Sequence, residues 1–311
     1  MIDLLCAVGL DLALGDPAWL PHPVRLMGTL ITYEERWVRR FARGSKGLVV
    51  GGVFIVLANL LLAFGIPALL LLFLRPYPLF SHFVNIYLLS TCFAARCLRD
   101  EALKVRYALE QGLTEARHQL SYIVGRETAH LNESEILRAT VETVAENTTD
   151  GIIAPLLYAM IGGAPLVLAY KMVNTMDSML GYLNAKYRHL GFFSAKTDDL
   201  VNYLPARLTG LLMIVSSLFR FHVGNGFKIM IRDRHNHKSP NCAYSEGAMA
   251  GLLGIQLGGA NIYFGKVVEK PTIGDPQRPI TRDDICKAIE IMFRTELSLV
   301  GLYMLWNLVF K

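Results

Sequence analysis

Long apolar runs alternate with short polar clusters along this chain. Residues 48–74 carry no charged side chain, and residues 83–98 and 291–310 are further, mostly apolar stretches. A membrane-spanning helix needs about 20 predominantly apolar residues. The pattern therefore predicts a span at 48–74, a return across the membrane at 83–98 and a last span at 291–310.

Two other segments predict different elements. Residues 152–170 are long enough to span, but Pro155, Gly162-Gly163 and Pro165 interrupt them, which favours a broken or re-entrant element. Residues 30–46 are rich in arginine, which indicates an interfacial helix on the cytoplasmic side.

The remaining stretches are a mostly polar segment and a glycine-containing one. Residues 99–150 are predicted to form a helical cytoplasmic insert, in which Asn132 or Ser134 is a candidate N-cap. Residues 248–264 are apolar but contain four glycines, whose spacing permits close helix packing about as readily as a ligand-binding role, and residues 266–287 are polar and loop-like.

Composition supports a membrane protein. Of the 311 residues, 53% are hydrophobic and 18% are charged, against about 25% charged in soluble domains. We expect an all-α, polytopic integral membrane protein with about four to six membrane segments, forming a single domain over residues 1–311. The net charge of +5 is explained by basic cytoplasmic loops and predicts no nucleic-acid partner. The five cysteines lack metal-ligand spacing and are expected to be reduced apolar fillers.

Three polar clusters between residues 142 and 207 form the predicted active-site core. Glu142, Glu146 and Asp150 are spaced at i, i+4 and i+8, so on a helix they line one face. The other two clusters contain Lys171, Asn174, Asp177 and Ser178, and then Asp198, Asp199 and Asn202. Charged groups this dense beside such apolar sequence are expensive near lipid, which favours a functional role.

The side chains in and near these clusters suit a phosphorylated substrate. Carboxylates supply the hard oxygen ligands that Mg²⁺ takes together with phosphate and water. The candidate phosphate-binding cations are Lys171, Arg126 and Arg207, and the candidate substrate-orienting amides are Asn147, Asn174, Asn202 and Asn241. In the turn-rich loop at residues 15–28, His22 and Arg25 either lie near a polar site or are solvated charges at a capped helix end. The sequence has no GxSxG elbow, Walker A motif or HExxH motif, which disfavours a serine hydrolase, a P-loop site and a zincin.

An ordered set of seven motifs resembles the CobD/CbiB family of cobalamin-biosynthesis proteins, the adenosylcobinamide-phosphate synthases. The motifs are GDPAWLPHPVRLMG, ETVAENTTDGIIAP, GGAP, YKMVNTMDSMLGY, DDLVNYLPARL, SPN and AMAGLLGIQLGG. Together they run from Gly15 to about Gly274, and seven motifs in order are far more specific than any single one. The sequence departs from the family pattern at residues 196–197 and 242–245 but keeps Asp198, Asp199 and Asn241.

This resemblance implies a cytoplasmic (inner) membrane enzyme whose active site faces the cytoplasm. It would join the carboxylate of adenosylcobyric acid to the amine of aminopropanol phosphate or ethanolamine phosphate, with ATP and Mg²⁺ activating the carboxylate as an acyl phosphate. Its catalytic residues would be Glu146, Asp150, Lys171, Asp177, Asp198 and Asp199, and its metal ligands Glu142, Glu146, Asp150 and Asp199. Its substrate-binding residues would be His22, Arg25, Arg126, Asn147, Asn174, Ser178, Asn202, Arg207 and Asn241. Besides its substrates and the lipid bilayer, its partners would be a second copy of the chain or other cobalamin-pathway enzymes.

Two other classes of protein stay open from the sequence. An ion-coupled secondary transporter also has broken apolar segments flanked by acidic residues, but the chain has no inverted repeat and its polar clusters lie at segment ends. A membrane scaffold would leave the carboxylate clusters unexplained.

Overall fold

A computed structural model of the protein describes residues 1–17, 19–182, 184–263, 266–269 and 271–310. Ala18, part of the first family motif, lies outside the described residues. Within them, α-helices account for nearly all regular structure: α1 (Ile2–Leu14), α2 (Pro23–Phe41), α3 (Gly44–Phe73), α4 (Pro78–Ser90), α5 (Ala95–Gln111), α6 (Leu113–Ser121), α7 (Glu133–Thr148), α8 (Ala154–Leu180), α9 (Phe192–Val201), α10 (Tyr203–Ser216), α11 (Val223–Asp233), α12 (Cys242–Leu253) and α13 (Asp283–Val309). A short π-helical turn, Thr149–Ile153, joins α7 to α8.

Four short strands complete the described structure. They are β1 (Leu257–Gly258), β2 (Asn261–Tyr263), β3 (Lys266–Val268) and β4 (Thr272–Ile273). β1 pairs with β4 and β2 with β3, both antiparallel. These strands lie in a stretch that the sequence predicted as an apolar segment followed by a polar loop.

Three described stretches are long and apolar enough to cross a membrane, namely Gly44–Phe73, Pro78–Gln111 and Glu133–Leu180, and Tyr203–Ser216 is a shorter apolar helix. The first agrees with the predicted span at 48–74, and the second includes the predicted return at 83–98. The predicted last span at 291–310 is not among them, because Arg294 and Glu296 interrupt the apolar run of α13. The protein is thus an all-α, polytopic membrane protein.

The predicted insert at residues 99–150 is helical. It contains most of α5, together with α6 and α7, and Asn132 caps α7 in a capping box with Glu135. The Glu135 backbone N–H donates to Asn132 Oδ1 at 3.0 Å, and the Asn132 N–H donates to Glu135 Oε2 at 2.8 Å. Placement of this insert in the cytoplasm stays a prediction.

The chain divides into two compact units. The first contains residues 1–94 and 154–202, and the second contains residues 95–153 and 203–311. This division does not test the prediction of one domain.

In the first unit, α8 packs against α2, α3, α4 and α9. The helical path of α8 breaks at Gly162–Gly163, where Gly163 has a φ of 63° that only glycine adopts without strain. The predicted interruption of this segment is therefore present, and the glycine pair is where it occurs.

In the second unit, α12 packs against α7, α10, α11 and α13 and is almost entirely buried. Glycines allow this close approach. A Cβ on Gly251 would lie 2.6 Å from the backbone oxygen of Asn225 in α11, and a Cβ on Gly210 of α10 would lie 2.9 Å from the Tyr244 oxygen. Gly251, one of the four glycines in residues 248–264, therefore serves helix packing.

Candidate active site

A polar cavity of about 120 Å³ lies within the second unit. It is lined by α7, α12, β1 and the loops that precede α7 and α12. Its polar side chains are those of Arg126, Glu142, Thr143, Glu146, Asn147, Asn236, His237 and Glu246. Four of these eight, Arg126, Glu142, Glu146 and Asn147, are residues that the sequence singled out.

A buried ion pair between Arg126 and Glu142 forms one wall of this cavity. Both side chains are less than a tenth exposed. Glu142 also accepts a hydrogen bond from the Gly258 backbone N–H at 2.7 Å, and Arg138 Nε lies 3.8 Å from the same carboxylate. These contacts offset the cost of taking the Glu142 charge out of water.

Glu146 lies one turn further along α7 and also lines the cavity. Its Oε1 accepts a hydrogen bond from the Cys242 thiol at 3.2 Å. Burial raises the pKa of that thiol well above its usual value, and the nearby carboxylates of Glu146, Glu246 and Asp150 raise it further. Cys242 is therefore a neutral hydrogen-bond donor and is not an activated nucleophile.

The charge of the lining is unbalanced. Three carboxylates, those of Glu142, Glu146 and Glu246, face the cavity together with one guanidinium, that of Arg126. A cavity with this excess of negative charge favours a cationic group over an anionic one. Its small volume excludes ligands of drug size, whose pockets are about 300–1,000 Å³.

Arg207 and Asn241 lie beside each other in the same unit. The Arg207 guanidinium stacks between the rings of Tyr203 and Tyr244, with centroids at 3.4 and 4.4 Å. Its Nη1 donates to Asn241 Oδ1 at 3.3 Å. Stacking on two aromatic faces fixes the orientation of this cation, which is a favourable arrangement for binding a phosphate or carboxylate.

The first unit holds a second polar group around Asn202. Tyr170 Oη donates to Asn202 Oδ1 at 2.9 Å, and Asn202 Nδ2 donates to Asp198 Oδ2 at 3.0 Å. Tyr158 stacks on Tyr170 with a centroid distance of 5.0 Å. The i, i+4 pairing of Asp198 with Asn202 is therefore present. Asp199 instead forms an ion pair with Lys196 at 2.9 Å.

Other predicted residues of the first unit lie on α8 and near the start of α2. His22 Nε2 lies 3.2 Å from Asp16 Oδ1, and Lys171 is part-exposed on α8. Ser178 is exposed and donates to the Thr175 oxygen of its own helix. The other three predicted residues in this unit are Arg25, which is exposed, and Asn174 and Asp177, which are part-exposed.

The predicted metal ligands are distributed over the two units. Glu142, Glu146 and Asp150 belong to the second unit and Asp199 to the first. Among the described residues, no group of three or more His, Cys, Asp or Glu side chains is arranged to hold a metal ion. Glu142 is also held by Arg126 and Gly258. The four-ligand set stays a prediction, and Glu146 and Glu246 are the other two carboxylates that line the cavity.

Sequence reasoning missed Glu246 and His237. Glu246 is the one acidic residue of α12, in the run CAYSEGAMAGLL, and is 5% exposed. A charged residue inside such an apolar helix is a signal for function that could have identified it. His237 lies in the loop before α12, next to the SPN motif. A loop has no hydrophobic periodicity, so the sequence pattern did not mark this residue.

Comparison with known proteins decides the family. A family model described as "CobD/Cbib protein" matches residues 4–292. The chain belongs to the CobD/CbiB family. It is 51% identical over 307 residues to the "Cobalamin biosynthesis protein CobD" of Clostridium tetani, covering 98% of this chain and 97% of that one. It is 51% identical over 290 residues to the "Cobalamin biosynthesis protein CbiB" of Salmonella choleraesuis, covering 91% and 90%. No solved structure matches the chain.

CobD/CbiB membership over nearly the whole length assigns the chain a role in cobalamin biosynthesis. The predicted resemblance is thereby confirmed.

Proposed function

We propose that the protein is an adenosylcobinamide-phosphate synthase. It joins the carboxylate of adenosylcobyric acid to the amine of aminopropanol phosphate or ethanolamine phosphate, at the cytoplasmic face of the inner membrane. The observation that carries this proposal is the polar cavity of the second unit, lined by carboxylates and a guanidinium in a chain of the CobD/CbiB family.

The ammonium end of the amino-alcohol phosphate suits the charge of this cavity, and the molecule is small enough to enter it. Its ammonium group complements Glu146 and Glu246, and its phosphate complements Arg126. A corrinoid is far too large for about 120 Å³, so only the small substrate is assigned to the cavity.

Glu146 is the residue we assign to proton transfer from the amine. An ammonium group must lose a proton before its nitrogen can attack a carboxyl carbon, and a carboxylate within hydrogen-bond reach can accept that proton. The Cys242 thiol, which stays protonated, holds the Glu146 carboxylate in place at 3.2 Å. Glu246 shares the ammonium binding, and Asn147 supplies an amide at the same wall.

The cavity is too small for a nucleotide, but its carboxylates would hold a magnesium ion whose nucleotide lies outside it. Mg²⁺ is usually held in proteins by one or two carboxylates, with substrate phosphates and water completing its shell. Glu146 and Glu246 provide two such carboxylates in one cavity. Bound ATP with Mg²⁺ would supply the free energy that amide formation in water requires.

The proposal is tested by incubating the purified protein in lipid nanodiscs with adenosylcobyric acid, aminopropanol phosphate and Mg·ATP. Mass spectrometry should detect the amide product, adenosylcobinamide phosphate. Omission of ATP should abolish it, and ethanolamine phosphate in place of aminopropanol phosphate identifies the preferred amine. Absence of product with both amines, in protein that remains folded, would leave a transporter or scaffold as the better interpretation.

Glu146→Gln and Glu246→Gln test the assigned site. Each should lower turnover by at least about 100-fold, the usual contribution of a positioned acid or base. A matched control is Glu133→Gln at the exposed start of α7, whose carboxylate pairs with Arg282 and does not line the cavity. Full activity in both cavity variants would remove the cavity from the mechanism.

A further inference from the structure

An apolar groove runs along the first unit between the end of α2 and the start of α3. Its volume is about 560 Å³. Trp37 and Phe41 of α2 form one wall, and Val50 and Phe54 of α3 form the other. Trp37, Phe41 and Phe54 are 58%, 62% and 56% exposed, so the groove is open along its length.

The floor of the groove is a tight helix contact. A Cβ on Gly51 would overlap the side chain of Val38, and a Cβ on Gly47 would lie 3.3 Å from the Ala42 backbone. Because both positions are glycine, α2 and α3 approach closely, and the large aromatic side chains are displaced to the rims. The groove is thus built into the helix packing.

One end of the groove is basic. Arg43 and Lys46 belong to its lining, and Arg36 and Arg40 lie on α2 beside it. All four side chains are exposed, and none forms an ion pair with a carboxylate in the described part of the chain. Arg39, by contrast, is paired with Glu35 at 2.8 Å. The uncompensated charge at this end is therefore positive.

The long axis of the groove follows a candidate membrane span. α3 begins at Gly44, and at about 1.5 Å per residue Phe54 lies about 15 Å further along the helix. The 30 residues of α3 would extend about 45 Å, more than the roughly 30 Å of a bilayer core. The basic end therefore lies at headgroup level and the aromatic walls extend toward the acyl chains.

We propose that this groove is a binding site for one phospholipid with an anionic headgroup. The phosphate and the anionic headgroup contact Arg43 and Lys46, and one acyl chain lies along the exposed faces of Trp37, Phe41 and Phe54. Positive charge at headgroup level continuous with an apolar groove along a span is the complement of such a lipid. This site is independent of the amide-forming chemistry, because its residues share nothing with the polar cavity.

Trp37 provides the measurement. The chain has three tryptophans, so the full-length protein carrying Trp19→Phe and Trp306→Phe reports from the groove alone. The protein is reconstituted in mixed vesicles in which either phosphatidylglycerol or phosphatidylcholine carries brominated acyl chains that quench tryptophan fluorescence. We expect brominated phosphatidylglycerol to quench Trp37 more strongly at equal mole fraction, with a preference of about 25-fold, because Arg43 and Lys46 each contribute about fivefold.

The variants Arg43→Gln and Lys46→Gln should each lower this preference by about fivefold, since each cation near an anionic membrane surface contributes about that factor. Arg75→Gln is the matched control, because Arg75 is exposed just beyond the opposite end of α3. Equal quenching by both lipids, or equal losses in Arg75→Gln and Arg43→Gln, would overturn the proposal.

Native mass spectrometry of the same samples identifies the occupant. Retention of one phosphatidylglycerol, lost in the Arg43→Gln/Lys46→Gln protein, supports the site. A doubled chain mass without retained lipid would show instead that a second copy covers the groove, and it would overturn the lipid assignment.

Discussion

Replacing Arg126 by glutamine removes the positive partner of Glu142 and keeps a polar side chain in its place. Both side chains of this pair are less than a tenth exposed, so the carboxylate would be left charged where water hardly reaches. Removing one partner of a buried ion pair typically costs about 3–5 kcal/mol. The Gly258 N–H at 2.7 Å and Arg138 at 3.8 Å still compensate in part. We therefore expect the lower end, about 3 kcal/mol.

A loss of this size is measurable in detergent. About 3 kcal/mol corresponds to an apparent Tm lower by about 6–12 °C for a unit of this size, measured by size-exclusion chromatography after heating. The double variant Arg126→Gln/Glu142→Gln should recover most of the loss, because two neutral amides leave no buried charge. Arg282→Gln is the control. Its partner Glu133 and Arg282 itself are both about 40–45% exposed, so the change should cost less than about 1 kcal/mol.

Two results would refute this reasoning. One is an apparent Tm of Arg126→Gln close to that of Arg282→Gln, and the other is a double variant no more stable than the single one. Activity adds a separate test. If Arg126 binds the substrate phosphate, the stable double variant should still form little amide, whereas a fully active double variant would make the ion pair purely structural.

Three further predictions concern α12 and α13. Gly251→Val should lower the apparent Tm by several degrees or prevent folding, because the Cβ of the new side chain would lie 2.6 Å from the Asn225 backbone oxygen and collide with it. Burial raises the pKa of Asp284, but hydrogen bonds from Arg278 and Thr281, together with the Arg278 charge, outweigh this and hold the pKa below its usual value. Asp284 therefore stabilises the fold above about pH 4, and the wild type should lose more stability on acidification below about pH 4 than Asp284→Asn. Cys242 should react with iodoacetamide at pH 8 at least about tenfold more slowly in folded than in unfolded protein, because its raised pKa keeps the thiol protonated. Peptide mass spectrometry measures the labelled fraction.

Each of these has its own control. Gly9→Val makes the same change where no atom lies within 4 Å of the added Cβ, so it should be tolerated. Asp283→Asn alters an exposed neighbour and should leave the acid sensitivity unchanged. A tolerated Gly251→Val, an equal acid response in Asp284→Asn, or fast labelling of folded Cys242 would contradict the respective argument.

Local signals in the sequence were enough for several features. The uncharged run at 48–74 predicts a helix long enough to span because the bilayer leaves no other way to satisfy backbone hydrogen bonds. The capping box of Asn132 and the break at Gly162–Gly163 are likewise encoded within a few residues. The order of the seven motifs along the chain also indicated the family.

What each charged side chain contacts was decided by the tertiary structure. The i, i+4 spacing placed Glu142 and Glu146 on one face of α7, but Glu142 pairs with Arg126 and with a backbone N–H 116 residues away, and Glu146 accepts from a thiol 96 residues away. The contact between Glu146 and Cys242 joins α7 to α12, and α12 in turn lies close against α11 at Gly251. Contacts between residues far apart in the chain leave no periodic pattern in the sequence. The sequence alone therefore determined the helices and the family, whereas the tertiary structure determined which groups the charged side chains contact.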